Sequence, residues 1–202
     1  MQSKTAQELK FRLRKKFGDK YSIQWSDTIL DNILIESQRE YAILSGSLTG
    51  RMELTAGISP VTTLPDDFIK VIRILDADGG DVPVVSYRKL NEDFEDFRKR
   101  TGNKAEAVCF NFDGYGKCRI FPVLPENTHV GTLIYSRLPD NKTLEVKNLS
   151  AVEQYALFMM FQFTGKKQAQ NCYAAFIELT EQEKRHRLFT GDKYIARTGV
   201  YF

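Results

Sequence analysis

The sequence predicts an α+β fold, in which a helical bundle built from the N- and C-terminal segments carries an inserted small antiparallel β-domain and an extended C-terminal tail. Three observations predict it. Apolar residues recur at helical spacing before residue 50 and again after residue 146. Between them lie β-branched runs punctuated by glycine and proline. The stretch 189–202 keeps no period at all. The expected organisation is N-terminal bundle helices over 1–50, an inserted β-domain with a short helix over 51–145, C-terminal bundle helices over 146–188, and a docking tail over 189–202.

Leu9, Leu13 and Phe17, four residues apart, predict a first helix from Thr5 to Phe17, stopped by Gly18 and Asp19. Ser26 is placed to cap a second helix, because its hydroxyl accepts from the free backbone N–H groups that follow. In that helix Ile29, Leu30, Ile33, Leu34, Tyr41 and Leu44 form the apolar face, and Gly46 and Gly50 end it. Trp25, just before the cap, is positioned to staple against Ile29. Phe68–Leu75, a turn at Asp78-Gly79-Gly80-Asp81, and Val82–Val85 predict a hairpin. A short helix over 91–100 follows. Ala107–Phe112 and Lys117–Phe121 flank a glycine turn, and Gly131–Arg137 is one more strand before Pro139. Such short strands suit a small sandwich or open barrel.

Ser150 then caps a segment whose apolar residues, Val152 through Phe163, leave almost no polar face. A helix apolar all round must be covered all round, and in a chain of 202 residues part of that cover is expected from another chain. Gly165 breaks the run, and a further helix spans 166–187. The aromatic tail suits docking onto a neighbour, as an added strand, with packing on its own domain as the alternative.

Charge is unevenly spread. Residues 1–20 hold seven basic and two acidic residues, and residues 184–202 hold five and one; the chain's net +3 therefore requires −6 of the middle. Basic ends around an acidic body suit nucleic acid, an acidic partner, or attraction between identical subunits. Lys10, Arg12, Arg14, Lys15 and Lys16 are the candidate contacts to a DNA channel or an acidic partner. Phe158, Phe161, Tyr194, Ile195, Val200, Tyr201 and Phe202 are the candidate docking residues.

No catalytic, cofactor or metal site is expected. His129 and His186 lack partners at triad or metal-ligand spacing, and no phosphate-cradling glycine loop precedes a helix. Cys109, Cys118 and Cys172 are an odd number without C-x-x-C spacing; they read as small core residues, the first two placed to face each other across their hairpin. Asp66-Asp67 reads as a turn, and the acidic residues at 92–96 as the first turn of an exposed helix. There is no apolar run of membrane-spanning length and no secretory leader at the start, so cytoplasmic synthesis is expected.

Leu64-Pro65-Asp66-Asp67-Phe68, Ile120-Phe121-Pro122-Val123-Leu124-Pro125, Leu133 through Pro139, and then paired apolar helices resemble the head–tail connector (adaptor or neck ring) proteins of tailed bacteriophages. The likeness is closest to those of short-tailed phages, crAss-like ones among them, and spans most of residues 20–190. It implies a helical bundle with an inserted β-domain, in copies that form a homo-oligomeric ring, usually dodecameric, beneath the portal. Such a ring sits in the virion neck, contacts the portal and other neck or tail proteins, and surrounds genomic DNA without reading it. No catalytic residue and no membrane contact is implied. The competing expectation is a DNA-binding or packaging accessory protein that uses its basic termini.

Overall fold

The computed structural model describes residues 3–19, 21–93, 98–111 and 115–189, with side chains through residue 186. It is an α+β fold, as predicted. Helices are α1 (Lys4–Phe17), α2 (Asp27–Ser45), α3 (Tyr87–Asp93), α4 (Leu149–Phe163) and α5 (Gln168–Phe189). Strands are β1 (Thr49–Thr55), β2 (Val61–Thr63), β3 (Phe68–Leu75), β4 (Val84–Val85), β5 (Ala107–Phe110), β6 (Lys117–Phe121) and β7 (His129–Arg137). The described residues fall into a helical unit, 3–48 with 137–189, and a β unit, 49–136. The predicted tail, 189–202, lies outside them apart from the backbone of Phe189.

In the helical unit the boundaries follow capping chemistry. Ser3 Oγ accepts from Ala6 N–H at 3.2 Å, and Ser26 Oγ from Ile29 N–H at 3.3 Å, as expected. Gly18 and Gly46 end α1 and α2 in the left-handed region, at φ 92° and 62°, where a Cβ is unfavourable. The cap of α4 is Asn148 rather than Ser150: the Asn148 side chain accepts from Ala151 N–H, so the helix starts before Ser150, which sits in its first turn. Trp25 does not staple onto Ile29, which stays 44% exposed. Its ring lies instead against Phe17 and Phe163, at 5.3 and 5.9 Å between centroids.

Helix α4 packs against α1, α2 and α5. Ala151, Val152, Ala156, Leu157 and Met160 are buried in the core they share with Leu9, Leu13, Leu30, Leu34, Tyr41 and Phe176. Three helices of the same unit thus cover most of the apolar circumference that the sequence displays. The loop into α4 is pinned from α2 by Gln38, which is fully buried. Its Nε2 donates to the carbonyls of Asp140 and Thr143 at 3.2 and 2.8 Å, and its Oε1 accepts from Glu145 N–H at 3.2 Å.

The β unit holds two sheets, of order β1-β7-β3 and β2-β6-β5-β4. They share a core of Leu54, Ile74, Val130 and Leu133 from the first, with Val108, Phe110, Cys118 and Ile120 from the second. Leu90 of α3 packs on the opposite side of β5–β6, with Ala107, Cys109 and Phe121. Buried on both faces, β5 reads as a continuous apolar run.

Four expectations are corrected here. After β3 the chain turns as predicted, with Val82 N–H donating to Ile74 C=O, but β4 then leaves that hairpin and pairs in parallel with β5. The inserted domain is therefore mixed rather than purely antiparallel. Cys109 stands opposite Arg119, not Cys118, and the two thiols belong to cores on opposite faces of the sheet. The short helix begins at Tyr87 rather than 91, because Ser86 accepts from Lys89 N–H and starts it early.

Candidate functional site

The link between α1 and α2 is short, polar and organised by one carboxylate. Asp19 is 8% exposed. Its Oδ1 accepts from the N–H groups of Ile23 and Gln24 at 3.0 and 3.3 Å, and its Oδ2 from Trp25 N–H at 3.0 Å. Burial pushes this carboxyl up, but the three N–H donors and the Arg14 charge outweigh it and hold it below the usual range. Arg14 also donates to the carbonyl of Trp25 at 3.0 Å and to Asp27 at 2.6 Å, which ties both ends of the loop to α1.

The described part of this loop leaves two large apolar residues in water. Tyr21 is 83% and Ile23 is 85% exposed. Trp25 links them to the end of α4, where Phe163, packed on the Trp25 ring, is 86% exposed. Lys166 and Lys167, just beyond Phe163 in the chain, are exposed, with the Lys166 ammonium 4.1 Å from the Phe17 ring centroid. Isolated exposed apolar residues are ordinary, whereas several near one end of a helical unit are the kind of feature an interaction surface uses.

A second surface lies further along the same unit. Rings of Tyr155 and Phe158 meet at 5.4 Å, and those of Phe158 and Tyr173 at 4.9 Å. Tyr173 is 42% exposed. Glu36 and Glu40 of α2 border it. The Tyr155 phenol is pushed up first by burial and then by the negative charge of Glu40, Tyr173 and Glu36.

The basic residues singled out in α1 have intramolecular partners. Lys10 is 1% exposed and pairs with Asp31 at 3.1 Å and Asp27 at 3.7 Å. Arg14 is engaged as described. Arg12 and Lys16, each about half exposed, grip Glu153 of α4 at 3.0 and 2.8 Å. Lys15 alone of the five is exposed with no ion pair among the described residues. Phe158 and Phe161 are half-buried, the latter stacked on Phe17 at 5.4 Å. Tyr194, Ile195, Val200, Tyr201 and Phe202 lie outside the described residues.

Tyr21 and Ile23 were not singled out in the sequence, and Phe163 entered it only as one of the apolar residues of the helix now seen as α4. The signal available was Tyr21-Ser22-Ile23, two large apolar residues in a loop too short to bury them. Elsewhere, His129 is exposed, 3.6 Å from Glu53. Among the described residues no cluster of metal-ligating side chains occurs, and no helix is long and apolar enough to cross a membrane. A depression in the β unit, about 550 Å³, is lined by Thr101, Gly102, Asn103, Val123, Leu124 and Pro125, none of them titratable.

Residues 4–193 match the SU10 adaptor protein family. The chain belongs to that family. Residues 4–193 include both the helical and the β unit, so the exposed tip is part of the adaptor fold and not an appendage to it. No curated protein matches the chain. The adaptor is accordingly a structural component of a bacteriophage particle, of the class that joins other virion proteins.

Proposed function

We propose that the adaptor forms an oligomeric ring, a dodecamer, in the neck of a short-tailed, crAss-like phage. The ring joins the portal to the tail and surrounds the channel through which DNA passes. The observation that carries this reading is the tip of the helical unit: a unit that closes its own core still holds Tyr21, Ile23 and Phe163 in water. Exposed apolar groups on backbone tied down by hydrogen bonds to Asp19 favour a protein partner, because less ordering entropy is lost on docking. On this reading the tail, through Tyr194, Ile195, Val200, Tyr201 and Phe202, reaches the portal, and Phe158 and Phe161 lie near a subunit contact.

The adaptor is expected to stay monomeric alone and to assemble when the portal protein is added. Native mass spectrometry of the two together tests this. A folded monomer that persists beside the portal counts against the ring.

The DNA-binding alternative rests on the basic ends. It is weakened in α1, where Lys10, Arg12, Arg14 and Lys16 already face Asp31, Asp27 and Glu153. A filter-binding salt titration separates the two readings: an accessory DNA binder loses affinity steeply as salt rises, whereas lumen-facing cations of a ring give little binding at any salt.

A further inference from the structure

We propose that the apolar tip of one adaptor copy seats on the acidic aromatic face of the next, the tip being Tyr21, Ile23 and Phe163 and the face Phe158, Tyr173, Glu36 and Glu40. The proposal rests on the ring reading and names the surfaces that carry it. The two are complementary in chemistry. Lys166 and Lys167, both exposed, flank the tip. Glu36 is exposed and Glu40 half-exposed on the face. Each side therefore offers an aromatic or aliphatic centre with a charged rim, opposite in sign, the arrangement that steers and orients a contact.

One copy does not satisfy its own surfaces. Trp25, at the tip, and Glu40, on the face, are separated by most of α2, and a rise of about 1.5 Å per residue puts them on the order of 20 Å apart. The contact is consequently heterologous: different patches meet, each copy keeps one of each free, and repetition gives the ring of the proposed reading when the rotation between copies closes. Its size fits as well. Two or three large side chains with lysine stems offer on the order of 500 Å² per partner, below the roughly 800 Å² of a standard interface. A single pair is weak, and a closed ring, in which every copy makes two such contacts, is what holds together.

The test uses full-length chains with portal protein, followed by native mass spectrometry. One variant carries Tyr21→Asp and Ile23→Asp, the other Glu36→Lys and Glu40→Lys; all four positions are at least partly exposed, and circular dichroism checks that both fold. Each variant alone is expected to need at least about tenfold more protein to assemble than wild type. An equimolar mixture is expected to give no ring, with one-to-one heterodimers only at protein concentrations well above those at which wild type closes its ring, because each variant keeps one intact surface and a single pair is weak. Should the aspartate variant not fold, Lys166→Glu with Lys167→Glu replaces it. Combining those changes with Glu36→Lys and Glu40→Lys in one chain then restores the ring. Variants that assemble like wild type, or a mixture that closes a ring, overturn the proposal while the ring stands. Wild type that never assembles beside the portal overturns both.

Discussion

Asp19 shows how much one side chain decides. Three loop N–H groups converge on its carboxylate, and the loop they shape carries Tyr21 and Ile23. Removing the acceptor in Asp19→Ala leaves those donors without it, one of them buried; a loss of about 2 kcal/mol is expected from chemical melts. The pH dependence has a definite sign. Because the folded carboxyl is held below its ordinary value, its contribution is full above that value and is lost as pH falls through the folded one. Trp25, the single tryptophan, reports the event. Its fluorescence is expected to change only at pH below the ordinary carboxylate range, and Asp19→Asn is expected to abolish that step. A Trp25 transition centred in the ordinary range would contradict this. Gly131 is a second decisive residue. It lies in β7 at φ 147°, where an added Cβ would run into the Leu75 carbonyl. Gly131→Ala is expected to cost roughly 3 kcal/mol or more, read as a fall in the melting temperature of the purified protein. In the sequence the same glycine looked only like the start of a strand.

At the scale of elements, helices were legible and strands less so, for a physical reason. Leu9, Leu13 and Phe17, or Leu30, Ile33, Leu34 and Tyr41, repeat every turn because one helical face meets one core. Strand β1, by contrast, alternates as Gly50, Met52 and Leu54 inward against Arg51 and Glu53 outward, with burial deepest only at Leu54. Gly50 hides the pattern: a Cβ there would stand 2.5 Å from the Tyr135 ring, so sheet packing excludes the β-branched residue that would have signalled a strand. The parallel β4–β5 pair was illegible because its register is set by pairing across the sheet, not by the turn at 78–81. Charged contacts between helices were equally invisible. Glu153 sits within the apolar run of α4, and Arg12 and Lys16 reach it from α1. The consequence is asymmetric. Removing both cations leaves a buried carboxylate unpaired, and Arg12→Ala with Lys16→Ala is expected to cost about 3 kcal/mol. Glu153→Gln instead leaves two half-exposed cations that turn to water, so a loss below about 1 kcal/mol is expected from the same denaturant titration. Equal losses for the two variants would mean that the clamp is not what α1 contributes.

For the whole molecule, the sequence correctly placed the adaptor among phage structural proteins but located its surplus apolar surface one helix too broadly. Most of α4 is covered by α1, α2 and α5 of the same copy; of the described large apolar residues in this unit, Phe163 and the loop pair Tyr21 and Ile23 are the most exposed, followed by Phe11 of α1. Which apolar side chain stays outside is decided by how three helices meet, and no single stretch of sequence holds that information. The consequence for the tail can be measured. The core of the helical unit is built from residues between Leu9 and Phe176, with Ile177 and Leu179 packed against it, and the β unit closes its own between Leu54 and Tyr135. Both cores are closed by described residues alone, so deleting Asp192–Phe202 is expected to shift the melting temperature by no more than about 1–2 °C, the effect of a surface change. On the reading proposed for Tyr194, Ile195, Val200, Tyr201 and Phe202, the same deletion abolishes docking onto the portal in native mass spectrometry. Docking that persists in the truncated chain would move the portal contact elsewhere on the adaptor. A steep fall in melting temperature would instead make the segment part of the fold, and the two readouts together tell these outcomes apart.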